Sequence, residues 1–214
     1  MFNVQSLKGN GHRVKFNGEG RGQMKINVAT HNRHKLEEIA AIWPEAELNA
    51  EDTGAEETAE TFAGNALIKA RALAALHPGE WTMADDSGLE VEALGGAPGV
   101  RSARYAGEPT NTPANNALLL KNLAGCANRR ARFTCAIAIV SPDGSERVVE
   151  GHCPGTISET PSGANGFGYD PLFVPDGYTR SFAELPPGEK NRISHRSRAL
   201  AEAKNILANI GKQD

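Results

Sequence analysis

The stretch Trp81-Thr-Met-Ala-Asp-Asp-Ser-Gly-Leu89 places two adjacent aspartates directly after a short apolar run. Burying a carboxylate is unfavourable unless the group is paired, hydrogen-bonded or bound to a metal. We therefore predict a strand that ends at Asp85 and Asp86, followed by a Ser-Gly turn, with both carboxylates facing a cleft. Other parts of the chain must then supply the groups on which these acids act.

The composition is that of a globular protein with no general attraction for polyanions. The chain has 214 residues, 39% of them hydrophobic and 23% charged, with a net charge of −3. That size permits one large domain or two lobes around a cleft. The negative charge argues against nucleic acid or a membrane as a partner. The three cysteines have no metal-type spacing, as expected for reduced thiols. The sequence also shows no signal peptide and no long apolar run. Together these features favour a cytoplasmic protein.

Residues 1–23 are rich in Gly, Asn and basic residues and have little apolar pattern. We interpret them as an N-terminal extension, a tail or a leader, and predict a single catalytic domain over residues 24–214. Besides the opening stretch, strands are expected at about 25–30, 132–140, 146–157 and 172–174, and helices at about 35–43, 61–76, 112–123 and 195–210. This is a mixed α/β pattern without the regular alternation of a doubly wound sheet.

Three loops of this pattern are candidate ligand sites. The first is the polar segment 31–34, which lies between a strand and the start of a helix. The first N–H groups of a helix bind anions. Residues 88–107 predict a long ordered loop, which in a compact domain is usually functional. In the third loop, Phe167 and Tyr169 are flanked by glycines and would stack on a flat ring, and Asp170 would accept hydrogen bonds from a ring N–H.

Carboxylates, cations and an anion-binding helix start together indicate a phosphorylated substrate with Mg²⁺. This ion takes a few carboxylates, several waters and phosphate oxygens, and it polarises phosphoryl groups and activates water. The acids are Glu56, Glu57, Asp85 and Asp86, and the cations are Lys35, Lys69, Arg101, Arg104, Lys190, His195 and Arg196. A solvated acidic surface at 51–60 and a purely structural aromatic pair are the alternatives. No Walker or Gly-x-Gly-x-x-Gly motif is present, which excludes standard P-loop and Rossmann enzymes.

Seven motifs in order resemble the inosine/xanthosine triphosphate pyrophosphatase family over residues 25–210. They are Ala29-Thr-His-Asn-x-x-Lys35, Glu-Glu-Thr58 with Thr-Phe62, Asn-Ala-x-x-Lys-Ala70, Ala-Asp-Asp-Ser-Gly-Leu89, the segment 94–107, Gly-Phe-Gly-Tyr-Asp-Pro171 and Glu-Lys-Asn-x-Ile-Ser-His-Arg196. Any one of these motifs is moderate evidence, whereas seven in the same order are highly specific.

The resemblance implies hydrolysis of ITP, dITP and XTP to the monophosphate and pyrophosphate with Mg²⁺, by a homodimer. It also implies an elongated mixed β-sheet flanked by helices, in two lobes with the substrate cleft between them. The catalytic base and a metal ligand fall at Asp86, and a further metal ligand falls at Glu57. The implied substrate contacts are Thr30, His31, Asn32, Arg33, His34 and Lys35 in a phosphate loop, Lys69 and Ser87 at the triphosphate, and Phe167, Gly168, Tyr169, Asp170, Lys190, His195 and Arg196 at the base.

Two positions depart from the family pattern. His34 stands where Gly usually precedes the lysine, so the sequence does not decide whether the loop keeps a conformation that only Gly adopts easily. Gly64 lies in a segment where Glu is common. Neither change removes a proposed catalytic group. The alternatives in function are a house-cleaning pyrophosphatase with a different base preference, a carboxylate-pair glycoside hydrolase and a nucleotide-binding regulator without catalysis.

Overall fold

The computed structural model describes residues 4–6, 11–14 and 24–210 of the chain. Its strands are β1 (Val4–Ser6), β2 (Gly11–Val14), β3 (Met24–Ala29), β4 (Ala46–Glu51), β5 (Thr82–Val91), β6 (Arg130–Val140), β7 (Glu146–Ile157) and β8 (Phe173–Pro175). Its α-helices are α1 (Arg33–Ile42), α2 (Phe62–Leu76), α3 (Thr112–Asn122), α4 (Pro187–Ile193) and α5 (His195–Ile210). None of these helices is long and apolar enough to cross a membrane.

The described strands form one sheet in the order β1-β2-β4-β3-β5-β6-β7-β8. Strand β3 runs parallel to β4 and β5, whereas β1–β2, β2–β4 and β7–β8 are antiparallel. The sheet is therefore mixed and accompanied by helices, which confirms the predicted α/β class.

The described residues form two compact units, and each gathers separate parts of the chain. The first unit comprises the described residues up to Asp86, Ala136–Glu150 and the described residues from Ala199 onward. The second unit comprises Ser87–Cys135 and Gly151–Arg198. Strands β5, β6 and β7 each contribute residues to both units. The substrate cleft and the single catalytic domain over residues 24–214 stay predictions. The predicted extension over 1–23, most of which lies outside the described residues, also stays a prediction.

Strand β4 was missed in the sequence, although its pattern is regular. Ala46, Leu48 and Ala50 are buried and alternate with half-buried residues, as expected for a strand with one face on the core. The short helix α4 was also missed. It begins at Pro187, a residue that suits the first helical turn because its missing N–H would have no partner there.

Helix α1 begins at Arg33, two residues earlier than predicted, because Asn32 caps it. The Asn32 side-chain oxygen accepts the backbone N–H of Lys35 at 3.2 Å, which satisfies one of the first helical donors. His34 therefore lies within the helix, and no described residue other than glycine has a positive φ. The His34 departure from the family pattern thus adds no left-handed backbone strain.

Helix α2 confirms the prediction for residues 61–76 and explains the second departure. Thr61 caps it by accepting the N–H of Gly64 at 3.1 Å. A Cβ on Gly64 would lie 2.5 Å from the Cβ of Ala59, a distance that real Cβ atoms essentially never show. The local course of this chain therefore requires glycine at position 64.

The prediction that a strand ends at Asp85 and Asp86 is wrong, since β5 continues to Val91. The Ser-Gly pair is part of this strand rather than a turn. The irregular segment begins only after Val91 and contains two 3-10 helices, Glu92–Leu94 and Gly99–Arg104. The physical reason is that lysine side chains compensate the two carboxylates, so the strand need not stop at them.

Aromatic rings make up much of the core of the second unit. Phe133 packs edge-on against Phe173 with ring centroids 4.7 Å apart and stacks on Phe182 at 6.0 Å. All three residues belong to one buried apolar cluster. His195, the first residue of α5, stacks on Phe133, so this core supports the start of that helix.

Candidate functional site

Two lysines and three carboxylates gather in the first unit. The Lys69 ammonium lies 2.7 Å from Glu57 Oε1 and 3.4 Å from Asp86 Oδ1, and it donates to the backbone oxygen of Asp85 at 2.8 Å. The Lys35 ammonium lies 3.3 Å from Asp85 Oδ1. We call these five residues the carboxylate–lysine cluster. It unites residues that the sequence places in four separate segments.

Burial and neighbouring charges shift the pKa of two members of this cluster, Asp86 and Lys69. The Asp85 side chain is fully buried and that of Asp86 is 9% exposed. Burial raises the pKa of Asp86 above its ordinary value, and Lys69 and Lys35 offset this only in part. Burial alone would lower the pKa of Lys69, but Asp86, Asp85 and Glu57 reverse the effect and raise that pKa. Lys69 therefore remains charged, while Asp86 is a stronger base than a surface aspartate.

Asn65 also belongs to this site, although the sequence interpretation did not select it. Its side chain is fully buried, donates to Asp86 Oδ2 at 3.2 Å and accepts the backbone N–H of Ala59 at 2.9 Å. A signal was available, because residues four apart on a helix share one face. Asn65 and Lys69 therefore lie on the same face of α2.

The predicted phosphate loop combines a half-buried cation with an exposed polar surface. Lys35 reaches the carboxylate–lysine cluster, and the Thr30 hydroxyl accepts the N–H of Asn32 at 3.1 Å. The remaining side chains lie in solvent beside acids: His31 near Asp52, and Arg33 and His34 near Glu37. Their contact with phosphate stays a prediction.

In the second unit, Asp170 fixes the Gly-rich loop. Its Oδ2 accepts the N–H of Phe167 at 2.9 Å and forms a buried ion pair with Lys190. The Lys190 ammonium also lies 4.9 Å from the centroid of the Phe167 ring, a cation–π distance. Gly166 has φ +73°, and a Cβ there would be 2.0 Å from Asp170 Oδ2. Only glycine therefore permits this closure of the loop.

Two residues at the start of α5 complete this second group. Arg196, 1% exposed, donates to Ser87 Oγ at 2.9 Å, and its guanidinium carbon lies 5.9 Å from the Phe167 centroid. His195 stacks on Phe133 with centroids 4.8 Å apart. We call Ser87, Phe167, Asp170, Lys190, His195 and Arg196 the aromatic–cation cluster. The structure thus brings together most of the residues predicted for base recognition.

Tyr169 and Gly168 have supporting contacts in this structure. Tyr169 is 4% exposed, its hydroxyl donates to the Ser102 carbonyl at 2.9 Å, and burial raises its pKa. The Gly168 carbonyl accepts from the amide of Asn116 at 3.1 Å. These contacts anchor the loop that carries Phe167, and substrate contacts by Tyr169 and Gly168 stay predictions.

The donor set fits Mg²⁺ shared with phosphate rather than a metal held by the protein alone. Among the described residues, no group of three or more His, Cys, Asp or Glu side chains is arranged to hold a metal ion. Magnesium needs only one or two carboxylates when phosphate oxygens and waters complete its shell. Oxygens of Glu57 and Asp86 both approach the Lys69 ammonium, so these two carboxylates already converge on a cation.

Comparison with known proteins gives consistent matches over most of the chain. The profile of the Ham1 family matches residues 26–206. The dITP/XTP pyrophosphatase of Streptomyces avermitilis is 49% identical over 197 residues, covering 87% of this chain and 98% of that protein. Its counterpart from Desulforamulus reducens is 48% identical over 193 residues, covering 86% and 96%. The Ham1 protein of Staphylococcus aureus superposes with a TM-score of 0.78 at 38% identity, covering 86% of this chain and 98% of that one.

Proposed function

The chain belongs to the Ham1 family, and from this premise we propose that it hydrolyses purine nucleoside triphosphates with non-standard bases to the monophosphate and pyrophosphate. The family resemblance of the sequence motifs is confirmed. Relatives named for dITP and XTP support these two substrates, and ITP is added from the motif resemblance. The observation that carries the proposal is the carboxylate–lysine cluster, in which two lysines contact the buried carboxylates of Asp85 and Asp86. A homodimer in the cytoplasm is part of the proposal.

The carboxylate–lysine cluster has the groups that this hydrolysis requires. Asp86 takes a proton from water, whose oxygen attacks the α-phosphorus, and the bond from the α-phosphorus to the bridging oxygen breaks to release pyrophosphate. Lys35 and Lys69 neutralise the charge that develops on the leaving pyrophosphate. Glu57 and Asp86 would hold Mg²⁺, which when bound polarises the phosphoryl oxygens.

The aromatic–cation cluster is suited to reading a purine base. Phe167 offers a ring for stacking, which by itself does not distinguish among purines. Arg196 and Lys190 are donors and would match a 6-oxo group rather than a 6-amino group. A buried donor left unpaired by the wrong base is unfavourable, so such a site discriminates strongly. Asp86 and Ser87 are consecutive in β5, so one strand contributes to both clusters.

The first prediction concerns substrates and metal. With Mg²⁺, we expect pyrophosphate release from dITP, XTP and ITP with kcat/KM about 100-fold or more above that for dATP. Chelation of Mg²⁺ by excess EDTA should remove this activity, and excess Mg²⁺ should restore it. A pyrophosphate assay on a panel of nucleoside triphosphates measures both effects.

The same panel, run beside glycoside substrates and a dITP-binding measurement, separates the alternatives. Release from a different base alone would establish a house-cleaning enzyme with another preference. Tight binding of dITP without pyrophosphate release would indicate a regulator. Metal-free hydrolysis of glycosides, with none of nucleotides, would indicate a glycoside hydrolase.

The second prediction tests base reading by Arg196. Arg196→Lys keeps the charge and most of the volume but loses the planar guanidinium fork. We expect the ratio of kcat/KM for dITP over dATP to fall about tenfold or more, since hydrogen bonds to the base are lost. Arg198→Lys is the matched control, because this exposed residue two positions along α5 bonds the His152 carbonyl instead. An unchanged ratio in an active Arg196→Lys enzyme would place base reading elsewhere.

A further inference from the structure

The side chain of Asn65 lies between the segment that carries Glu57 and the carboxylate of Asp86. It is fully buried on α2. Its oxygen accepts the N–H of Ala59 at 2.9 Å, and its nitrogen donates to Asp86 Oδ2 at 3.2 Å. Ala59 follows Glu57 by two residues. One amide therefore connects the two segments that carry the proposed metal ligands.

The orientation of this amide is determined by its partners. The Ala59 N–H can only donate, so the Asn65 oxygen must face it and the Asn65 nitrogen must face the carboxylate. Asp86 then receives a hydrogen bond at each oxygen: from Asn65 at Oδ2, and from Lys69 at Oδ1 at 3.4 Å. These two donors differ in stiffness. Lysine is a compact charge on a flexible stem, whereas the Asn65 amide is planar and anchored at its other end.

We propose that Asn65 is a positioning residue for the hydrolysis proposed above, acting through Asp86. The terminal torsion of an aspartate is broad and does not fix the plane of its carboxylate. The Asn65 hydrogen bond supplies that restraint and holds the carboxylate in one orientation for proton abstraction. This inference rests on the proposed function, because a fixed base is useful only where water must be deprotonated in a defined direction.

The test compares two buried asparagines. Asn65→Leu keeps the branching and the number of side-chain heavy atoms and removes the donor to Asp86. Asn115→Leu is the matched control: Asn115 is 4% exposed on α3, accepts the N–H of Ala106 at 2.7 Å and donates to the Ala103 carbonyl at 2.9 Å. Both substitutions remove an amide that ties a helix to a loop, so both should lower the melting temperature. Only Asn65 contacts a proposed catalytic group.

For Asn65→Leu we expect kcat on dITP to fall on the order of 100-fold, the loss that misplacement of a reacting group produces. KM should stay within about threefold, because Lys35 and Lys69 still bind the triphosphate. Asn115→Leu should keep its kcat. A wild-type kcat in folded Asn65→Leu would overturn the positioning role alone. Absence of pyrophosphate release from the wild-type protein would overturn the proposed function, and this role with it.

A second measurement needs neither turnover nor a folded Asn65 variant. The side-chain NH₂ resonances of Asn65 and Asn115 are followed by ¹H–¹⁵N NMR in wild-type protein and in Asp86→Asn. Loss of the carboxylate should shift the Asn65 pair and leave the Asn115 pair in place. An Asn65 pair that does not respond would show that the amide does not hold Asp86, and would overturn the inference.

Discussion

Replacing Asp86 with asparagine should lower kcat for dITP by about 10³-fold, the scale on which a positioned general base contributes. The amide cannot take a proton from water, and it is a poorer ligand for Mg²⁺ than a carboxylate. Asn65 and Lys69 both donate toward this side chain. The two donors approach different oxygens of the carboxylate, so one of them would face the NH₂ group of the new amide.

The same substitution should leave the folded protein at least as stable. In the wild type, Lys35 and Lys69 face the three carboxylates of Glu57, Asp85 and Asp86. Asp86→Asn leaves two lysines and two carboxylates, so the buried charges balance. Because burial raises the pKa of Asp86, its charged form is the unfavourable one in the fold. Loss of that charge therefore offsets the less satisfactory hydrogen bonding.

Pyrophosphate release and thermal unfolding, measured on the same preparation, check both parts. Asp176→Asn is the control, since Asp176 is an exposed carboxylate paired with Arg130 in the second unit. It should retain wild-type kcat. Near-normal turnover by Asp86→Asn would refute the assignment of the base, and a severely destabilised variant would refute the charge argument.

Lys69→Met should have the opposite effect on stability while also abolishing most activity. Methionine has a similar length but leaves Glu57 and Asp86 without their shared cation. Removing one partner of a buried ion pair typically lowers the free energy of unfolding by about 3 kcal/mol or more. Turnover should fall by about 100-fold or more, because charge on the leaving pyrophosphate loses its electrostatic stabilisation.

The pH dependence of Lys69→Met gives the sharper test. Lys69 is the main group that lowers the pKa of Asp86 against the effect of burial, so its removal raises that pKa further. Between the ordinary carboxylate pKa and this raised pKa, the folded variant binds more protons than the unfolded chain, so its stability rises as the pH falls through that window. Urea unfolding across this range measures the effect. Unchanged stability at neutral pH would show that the carboxylates are not held as a charged group.

The sequence predicted the chemistry of the site better than its structural context. Asp86, Lys35 and Lys69 were identified as parts of ordered motifs, and the structure brings them together. The position of Asp85 and Asp86 within β5 was not predicted, because it depends on compensation by lysines on two other elements. Asn65 was missed for a related reason. The helical spacing from Lys69 indicates its face of α2, but its hydrogen bond to Asp86 depends on the tertiary fold.

Among the local elements too, some features are visible in the sequence pattern and others depend on the fold. Strand β4 had a period-two pattern that was visible in the sequence, so missing it was an error of interpretation. The glycine at 64 was different, since the close approach of the Ala59 Cβ is created by the course of the chain before α2. No periodicity records a contact of that kind.

The interleaving of the two units has a consequence for protein engineering. Because one unit is assembled from three stretches of chain and the other from two, no single junction separates them. A chimaera made by joining the first part of this chain to the last part of a relative would therefore mix both units rather than exchange one. A circular permutant does not remove this problem, because the two units would still alternate along the closed chain. Altered base preference must instead be introduced by point substitutions on this backbone.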